Sequence, residues 1–366
     1  MPVSSTLVGQ RLEQLDTPVL FADLDALEEN IARTAALFAE RRVAWRPHTK
    51  GQKVPAIAHL EMAAGAIGIT CAKLGEAEVM AAAGIDNILI GSQVVGPQKA
   101  VRLAHLCRRH RVIVAVDSVY NVDELDQAAL AVGVRIPVLV EVDIGMRRCG
   151  VQPGQAAVEL SREINRRSGL IYLGVMGWEG HIRRIVAYDE RAAACRQAVE
   201  SLCETAQLCR QAGLEVSIVS CGGTGTHEFS SLVPGVTEVQ AGGIIFNDMY
   251  YARLGLEHRP ALRVLSTVTS RPDPRRIVTD AGKKTMSSDS APPKPVSVDG
   301  VEGLRFSAEH GTIDLAEPLI RPGVGDLVEW IVGYGDTTIA LHDELVGIRN
   351  GVVEVVWPVL ARGKLR

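Results

Sequence analysis

From residue 18 to about residue 255, short apolar runs alternate with longer amphipathic segments, the pattern of repeated strand–helix units on a parallel sheet. The runs Val19–Asp23, 66–70, 87–91, 111–116, 137–142, 174–178, 216–220 and 238–241 predict eight short, mostly β-branched strands. Between them, apolar residues three and four positions apart predict helices over Leu24–Arg41, 73–83, 97–110, 121–132, 153–167 and 189–212. Eight such units argue for a closed (β/α)8 barrel rather than an open doubly wound sheet. After Arg259 the helical period stops, and strand-like runs at 261–270, 276–280, 327–332, Glu344–Arg349 and 351–358 follow between Gly, Pro and Asp turns. Residues 287–299, rich in Ser, Pro and Asp, read as a loop excursion. The expected organisation is α/β: a barrel over 18–258, and a mostly-β domain built from 1–17 plus 259–366.

Composition agrees with this and narrows the chemistry. Hydrophobic residues make up 47% of the chain but aromatics only 4%, which suits a core layered from Val, Ile, Leu and Ala. The net charge of −4, with Lys and Arg spread along the chain, leaves no electrostatic footprint for nucleic acid or an anionic membrane. Seven cysteines without a CxxC pair indicate neither a disulfide framework nor a structural zinc site. The N-terminus lacks basic and apolar leader regions, and no apolar stretch reaches about 18 residues, so a cytoplasmic location is expected.

Reactive residues of a barrel belong just after its strands. Trp45-Arg46-Pro47-His48-Thr49-Lys50-Gly51-Gln52-Lys53 places two lysines and a histidine after a short hydrophobic stretch. A partly desolvated lysine near Arg46 is primed to condense with an aldehyde, although a solvated basic loop has the same composition. Ser220-Cys221-Gly222-Gly223-Thr224-Gly225-Thr226 offers clustered backbone N–H groups suited to a phosphate. Gly242 and Gly243, after the next strand, add a second glycine turn, as phosphate sites on the last two loops of barrels often have.

These residues resemble the fold-type III pyridoxal-phosphate enzymes that include D-threonine aldolase, D-serine dehydratase and 3-hydroxy-D-aspartate aldolase. The resemblance spans nearly the whole chain. It rests on the Arg46–Lys53 segment, Thr70-Cys71-Ala72-Lys73 with Glu76, Glu141-Val142-Asp143 with Arg148-Cys149-Gly150, the Cys221–Gly225 loop, Asp280-Ala281-Gly282, Glu309-His310-Gly311, Val356-Trp357-Pro358-Val359 and Ala361-Arg362-Gly363. It implies an alanine-racemase-like TIM barrel, with Lys50 joined to the cofactor as a Schiff base and His48 beside it. It makes Arg148 a cation facing the cofactor, gives the phosphate to Gly222, Gly223 and Thr224 with Gly242 and Gly243, and implies a homodimer.

Trp178 stands where the family commonly has a tyrosine near the pyridine nitrogen, and is followed by Glu179, Gly180 and His181. His181 joins the catalytic candidates. Many relatives hold a divalent metal on a His-x-Cys or His-x-Asp pair; here the stretch reads Tyr334-Gly335-Asp336. A phenol binds Mn²⁺ or Zn²⁺ less readily than an imidazole. Three readings stay open: Asp336 holds Mg²⁺ or Mn²⁺ with His310 or His342, Tyr334 is itself the acid/base near Cβ, or both are structural. The expected activity is aldol cleavage of D-3-hydroxy amino acids to glycine and an aldehyde. A dehydratase, a racemase and a non-catalytic cofactor carrier are the alternatives.

Overall fold

A computed structural model describes residues 5–366, which divide into two compact units. One comprises Thr34–Lys50, Ile57–Gly242 and Gly363–Arg366; the other comprises the residues up to Arg33, Gly51–Ala56 and Gly243–Arg362.

The first unit is the barrel. Its eight parallel strands run in the order Ala44–Trp45, Glu238–Val239, Ile218–Cys221, Leu170–Met176, Ile136–Glu141, Val112–Val116, Ile88–Ile90 and Ile69–Cys71. The end strands meet through a bridge between His48 and Thr70. The Thr70 N–H donates to the Pro47 carbonyl at 2.8 Å, and the Ile67 N–H donates to the Trp45 carbonyl at 2.9 Å. The sheet therefore closes on itself. Its strands read as unbroken apolar runs because both faces are covered, and every residue of Val112–Val116 is buried. Helices such as Leu74–Ala82, Pro97–Cys107, Val119–Val132, Gln155–Asn165 and Tyr188–Gln211 return the chain between strands. Local chemistry sets their ends: the Ser118 hydroxyl accepts the Asn121 N–H at the start of Val119–Val132, and Gly133 at φ 73° stops it. At the seam, the guanidinium of Arg46 makes paired bonds to Glu238 at 2.9 and 3.0 Å and donates to the Asn87 carbonyl at 2.6 Å, all inside the unit.

The second unit holds a nine-stranded, mostly antiparallel sheet. Its path runs Val301–Phe306, Gly311–Leu315, Arg276–Thr279, Leu262–Asp273, Val19–Asp23, Glu344–Arg349 and Val352–Pro358, with Leu327–Ile331 and Lys294–Pro295 branching from it.

Val19–Asp23 corrects the sequence reading. It is not a barrel strand: it pairs antiparallel with Leu262–Asp273 and parallel with Glu344–Arg349. Phe21 explains the choice, for it packs with Leu15, Leu265, Val346, Ile348 and Val353 in a core of this sheet. The barrel's remaining strand is Ala44–Trp45, two residues long and thus too short to show a period. Three further strands were missed, one of them Gly311–Leu315, which pairs with Arg276–Thr279 and Val301–Phe306. Val301–Phe306 is largely exposed and carries no buried stripe, and Lys294–Pro295 lies within the segment read as a loop.

All seven cysteines are free thiols, and among the described residues no helix is long and apolar enough to cross a membrane.

Candidate active site

Lys50 lies in the 3-10 turn Thr49–Gly51, just past the barrel strand Ala44–Trp45. The Thr49 hydroxyl pins this turn by donating to the Thr70 carbonyl at 3.1 Å, and the His48 Nδ1 accepts the Lys50 N–H at 3.3 Å. Lys50 is half-buried, with its ammonium 5.0 Å from the centre of the Trp178 ring. The Arg148 guanidinium stands 5.0 Å from the same centre and that of Arg183 5.6 Å. The electron-rich face of an indole attracts cations, so one aromatic ring gathers three of them. Gly180 makes this possible, since a Cβ there would stand 2.6 Å from the Trp178 ring.

Arg46 does not act on Lys50 as the sequence suggested. Its charge is matched by Glu238 inside the barrel, with both side chains almost fully covered.

The glycine loop follows the strand Ile218–Cys221. Gly222 has φ 80°, and a Cβ on it would stand 2.6 Å from Val239 Cγ1. Its N–H donates to Glu179 Oε2 at 3.2 Å, and the Gly223 N–H donates to the Thr226 hydroxyl at 3.3 Å. These two groups, expected from the sequence to face a phosphate, are committed within the protein. The N–H groups of Thr224 and Gly225 have no acceptor among the described residues. A Cβ on Gly223 would reach to 2.9 Å from Trp178 Nε1, so the loop presses against the indole, and the missing side chain keeps an open cradle there. Gly242 is held close to the His48 backbone, where a Cβ would lie 2.5 Å from His48 N. Open N–H groups, a bare loop and a nearby lysine fit a phosphorylated aldehyde such as pyridoxal phosphate. Gly222→Ala is expected to cost about 1–3 kcal/mol through its left-handed backbone and the clash with Val239. Denaturant unfolding checks this, and an unchanged midpoint would show that the loop has room to adjust.

His181 is exposed and leans on Gly145, in the loop that leads to Arg148; a Cβ on Gly145 would lie 2.6 Å from the imidazole Cε1. Partial burial holds its pKa below the ordinary histidine value, with Asp143 opposing. Sequence reasoning missed a second group in this unit. The buried Glu141 carboxyl accepts from Gln93 at 2.5 Å and from Cys149 at 3.1 Å, and burial pushes its pKa up. Its place at the end of a strand, before Asp143, was the available signal.

In the sheet unit, Tyr334 precedes the short helix Gly335–Thr338, and its hydroxyl donates to Asp336 Oδ2 at 2.8 Å. Asp336 Oδ1 lies 2.5 Å from the position of a Cβ on Gly51, so a side chain there would displace the carboxylate. Gly243 opens the 3-10 turn Gly243–Ile245, with its Cα 4.0 Å from that same Cβ position. Asp248, unremarked in the sequence, is buried and accepts the Gly335 N–H at 2.6 Å; burial first, then Asp336, pushes it up to about 7. Tyr250 packs against Tyr334 with ring centres 5.3 Å apart.

The donor set does not fit a divalent cation on Asp336. His342 is bonded to the Thr285 carbonyl at 2.7 Å, and His310 lies on an exposed turn. Among the described residues no group of three or more His, Cys, Asp or Glu side chains stands together as a metal cage.

A closed parallel barrel with a lysine past one strand and a glycine loop past another defines an alanine-racemase-like protein. The sequence profile of the alanine racemase N-terminal domain matches residues 22–249, and that of a serine dehydratase domain matches 261–348. D-threonine aldolase from Arthrobacter sp. is 37% identical, with 97% of this chain and 95% of that protein aligned. The 3-hydroxy-D-aspartate aldolase of Paracoccus denitrificans is 34% identical over 98% of this chain and 95% of the relative. The crystal structure of D-threonine aldolase from Filomicrobium marinum superposes with a TM-score of 0.95 at 38% identity, covering 98% of this chain and 99% of that one. The chain belongs to the alanine racemase-like family, in the branch that holds these D-threonine and 3-hydroxy-D-aspartate aldolases. Pyridoxal phosphate is the cofactor this family implies.

Proposed function

We propose that the protein cleaves D-3-hydroxy amino acids of the D-threonine or 3-hydroxy-D-aspartate type to glycine and an aldehyde; the relatives named D-threonine aldolase and 3-hydroxy-D-aspartate aldolase support the substrate class. The observation that carries this reading is the hydrogen bond from Tyr334 to Asp336, a proton-handling pair where dehydration would call for a strong electrophile.

Pyridoxal phosphate, when bound, supplies an electron sink for the bond broken at the substrate's Cα. The chain's own groups do the rest. Lys50 provides the amine that joins the cofactor, and the His48 ring, which accepts the Lys50 N–H, keeps that turn in shape. Trp178 presents its ring face to the Lys50 and Arg148 cations, and Arg148 would offer a positive charge to the cofactor as it takes up those electrons. The phosphate falls to the open N–H groups of Thr224 and Gly225, in a loop that Gly222 and Gly223 allow to turn; Gly242 and Gly243 line the neighbouring turn. Tyr334 takes the proton of the β-hydroxyl as its own proton moves to Asp336, leaving the hydroxyl oxygen free to become the carbonyl of the aldehyde. His181, beside the Arg148 loop, is a further candidate for proton transfer.

The substrate is a small amino acid. Seven free thiols fit a reducing, cytoplasmic setting, and the family resemblance supports a homodimer.

Incubation with D-threonine is expected to yield glycine and acetaldehyde in equal amounts, undiminished by EDTA. Tyr334→Phe is expected to lower kcat by about 10²–10⁴-fold, the scale of a lost acid/base group. Product analysis decides: oxo acid and ammonia would replace this reading with a dehydratase, and full inhibition by EDTA would return Asp336 to metal binding.

A further inference from the structure

We infer that Glu179 is a positioning residue that shapes the glycine loop for phosphate. The inference rests on the cofactor reading above and adds to it the residue that decides how the loop discriminates a phosphorylated ligand.

Glu179 is fully buried, and no cation pairs with it among the described residues. A buried carboxyl without a counter-ion is costly, and an apolar side chain would fill the same space more cheaply. What the carboxyl does here is close a ring over the loop. Oε2 accepts the Gly222 N–H at 3.2 Å, while Oε1 accepts the Thr226 hydroxyl at 2.6 Å. The two donors bracket Gly223, Thr224 and Gly225. The Thr226 oxygen passes the constraint inward, because it accepts the Gly223 N–H at 3.3 Å. Cys195 Sγ adds a weak contact at 3.9 Å.

With Gly222 and Gly223 drawn onto this framework, the N–H groups left for a ligand are those of Thr224 and Gly225. The clasp is also tied to the lysine side of the site. Trp178, the preceding residue, faces the Lys50 ammonium and abuts Gly223, so consecutive side chains hold the loop from two directions. Burial pushes the Glu179 pKa up, and the Thr226 hydrogen bond opposes that shift.

The test compares binding of pyridoxal phosphate and of pyridoxal, which lacks the phosphate, to apo protein followed by absorbance. Glu179→Ala removes two buried hydrogen bonds. It is expected to weaken pyridoxal phosphate about ten- to hundredfold while leaving pyridoxal within about threefold. Glu179→Gln keeps volume and one acceptor, so the ratio of the two affinities should fall by a smaller factor, about two- to tenfold. That variant decides the matter should the alanine protein fail to fold. An unchanged ratio in a folded variant would overturn the inference and leave the cofactor reading intact. A wild-type protein that binds neither compound would remove that reading, and this inference with it.

Discussion

Lys50→Ala is expected to lower aldol cleavage of D-threonine by about 10³-fold or more, and to leave the protein without a covalently held cofactor. The size of the effect follows from where the amine sits. The turn that carries it is pinned to the neighbouring strand by Thr49, and the amine faces an indole that also gathers Arg148 and Arg183. No other lysine is placed this way among the described residues. Losing a half-buried side chain outside the hydrophobic core should leave stability within about 0.5 kcal/mol of the parent. The defect is therefore expected in turnover and cofactor retention alone. A small primary amine such as methylamine, added to the variant, should restore part of the rate. Steady-state assays with and without the amine check this, and a variant that keeps more than a tenth of parental activity would displace Lys50 from the role.

Arg46→Ala is expected to destabilise the barrel by about 3–5 kcal/mol, because it strands a buried carboxylate. Arg46 and Glu238 expose only 2% and 4% of their side chains, and Arg46 directly follows the strand Ala44–Trp45, which pairs with Glu238–Val239. The same guanidinium also donates to the Asn87 carbonyl, so its removal leaves both Glu238 oxygens without the donor shown for them and the Asn87 carbonyl with the Ile69 N–H at 3.3 Å alone. A unit of this size loses roughly 2–4 °C per kcal/mol, which makes the expected fall in Tm about 6–20 °C. The double variant Arg46→Met with Glu238→Leu should recover most of the loss, since an apolar pair of similar volume pays no desolvation cost. Calorimetry on the three proteins separates these outcomes. A single variant as stable as the parent would mean that water reaches Glu238.

The barrel was legible because its strands are apolar on both faces and its helices keep a three-to-four spacing. The misassignment at its start has a physical cause. Val19–Asp23 is as apolar as a barrel strand, and only its packing of Phe21 against Leu265 and Val346 assigns it to the other sheet. Ala44–Trp45 contributes one buried side chain, Trp45, whose indole N–H donates to the Ala241 carbonyl at 2.7 Å, and a two-residue strand shows no period.

The site divides similarly. Lys50, Arg148 and the glycine loop could be named from motifs, and the structure brings Lys50 and Arg148 to one indole. Which N–H groups of the loop remain open could not be read, because that depends on Glu179, a charged residue next to Gly180 that looks like any loop carboxylate. Arg46 misled for the same reason in reverse. A basic residue near a lysine suggests an electrostatic neighbour, whereas its partner Glu238 lies far away in sequence and beside it in space.

The most direct test of the account is to reduce the cofactor-loaded protein with borohydride and map the fixed label by peptide mass spectrometry. The label is predicted on Lys50, in one copy per chain. A label on Lys53 or Lys73, or protein that stays colourless in excess pyridoxal phosphate and takes up no label, would contradict it.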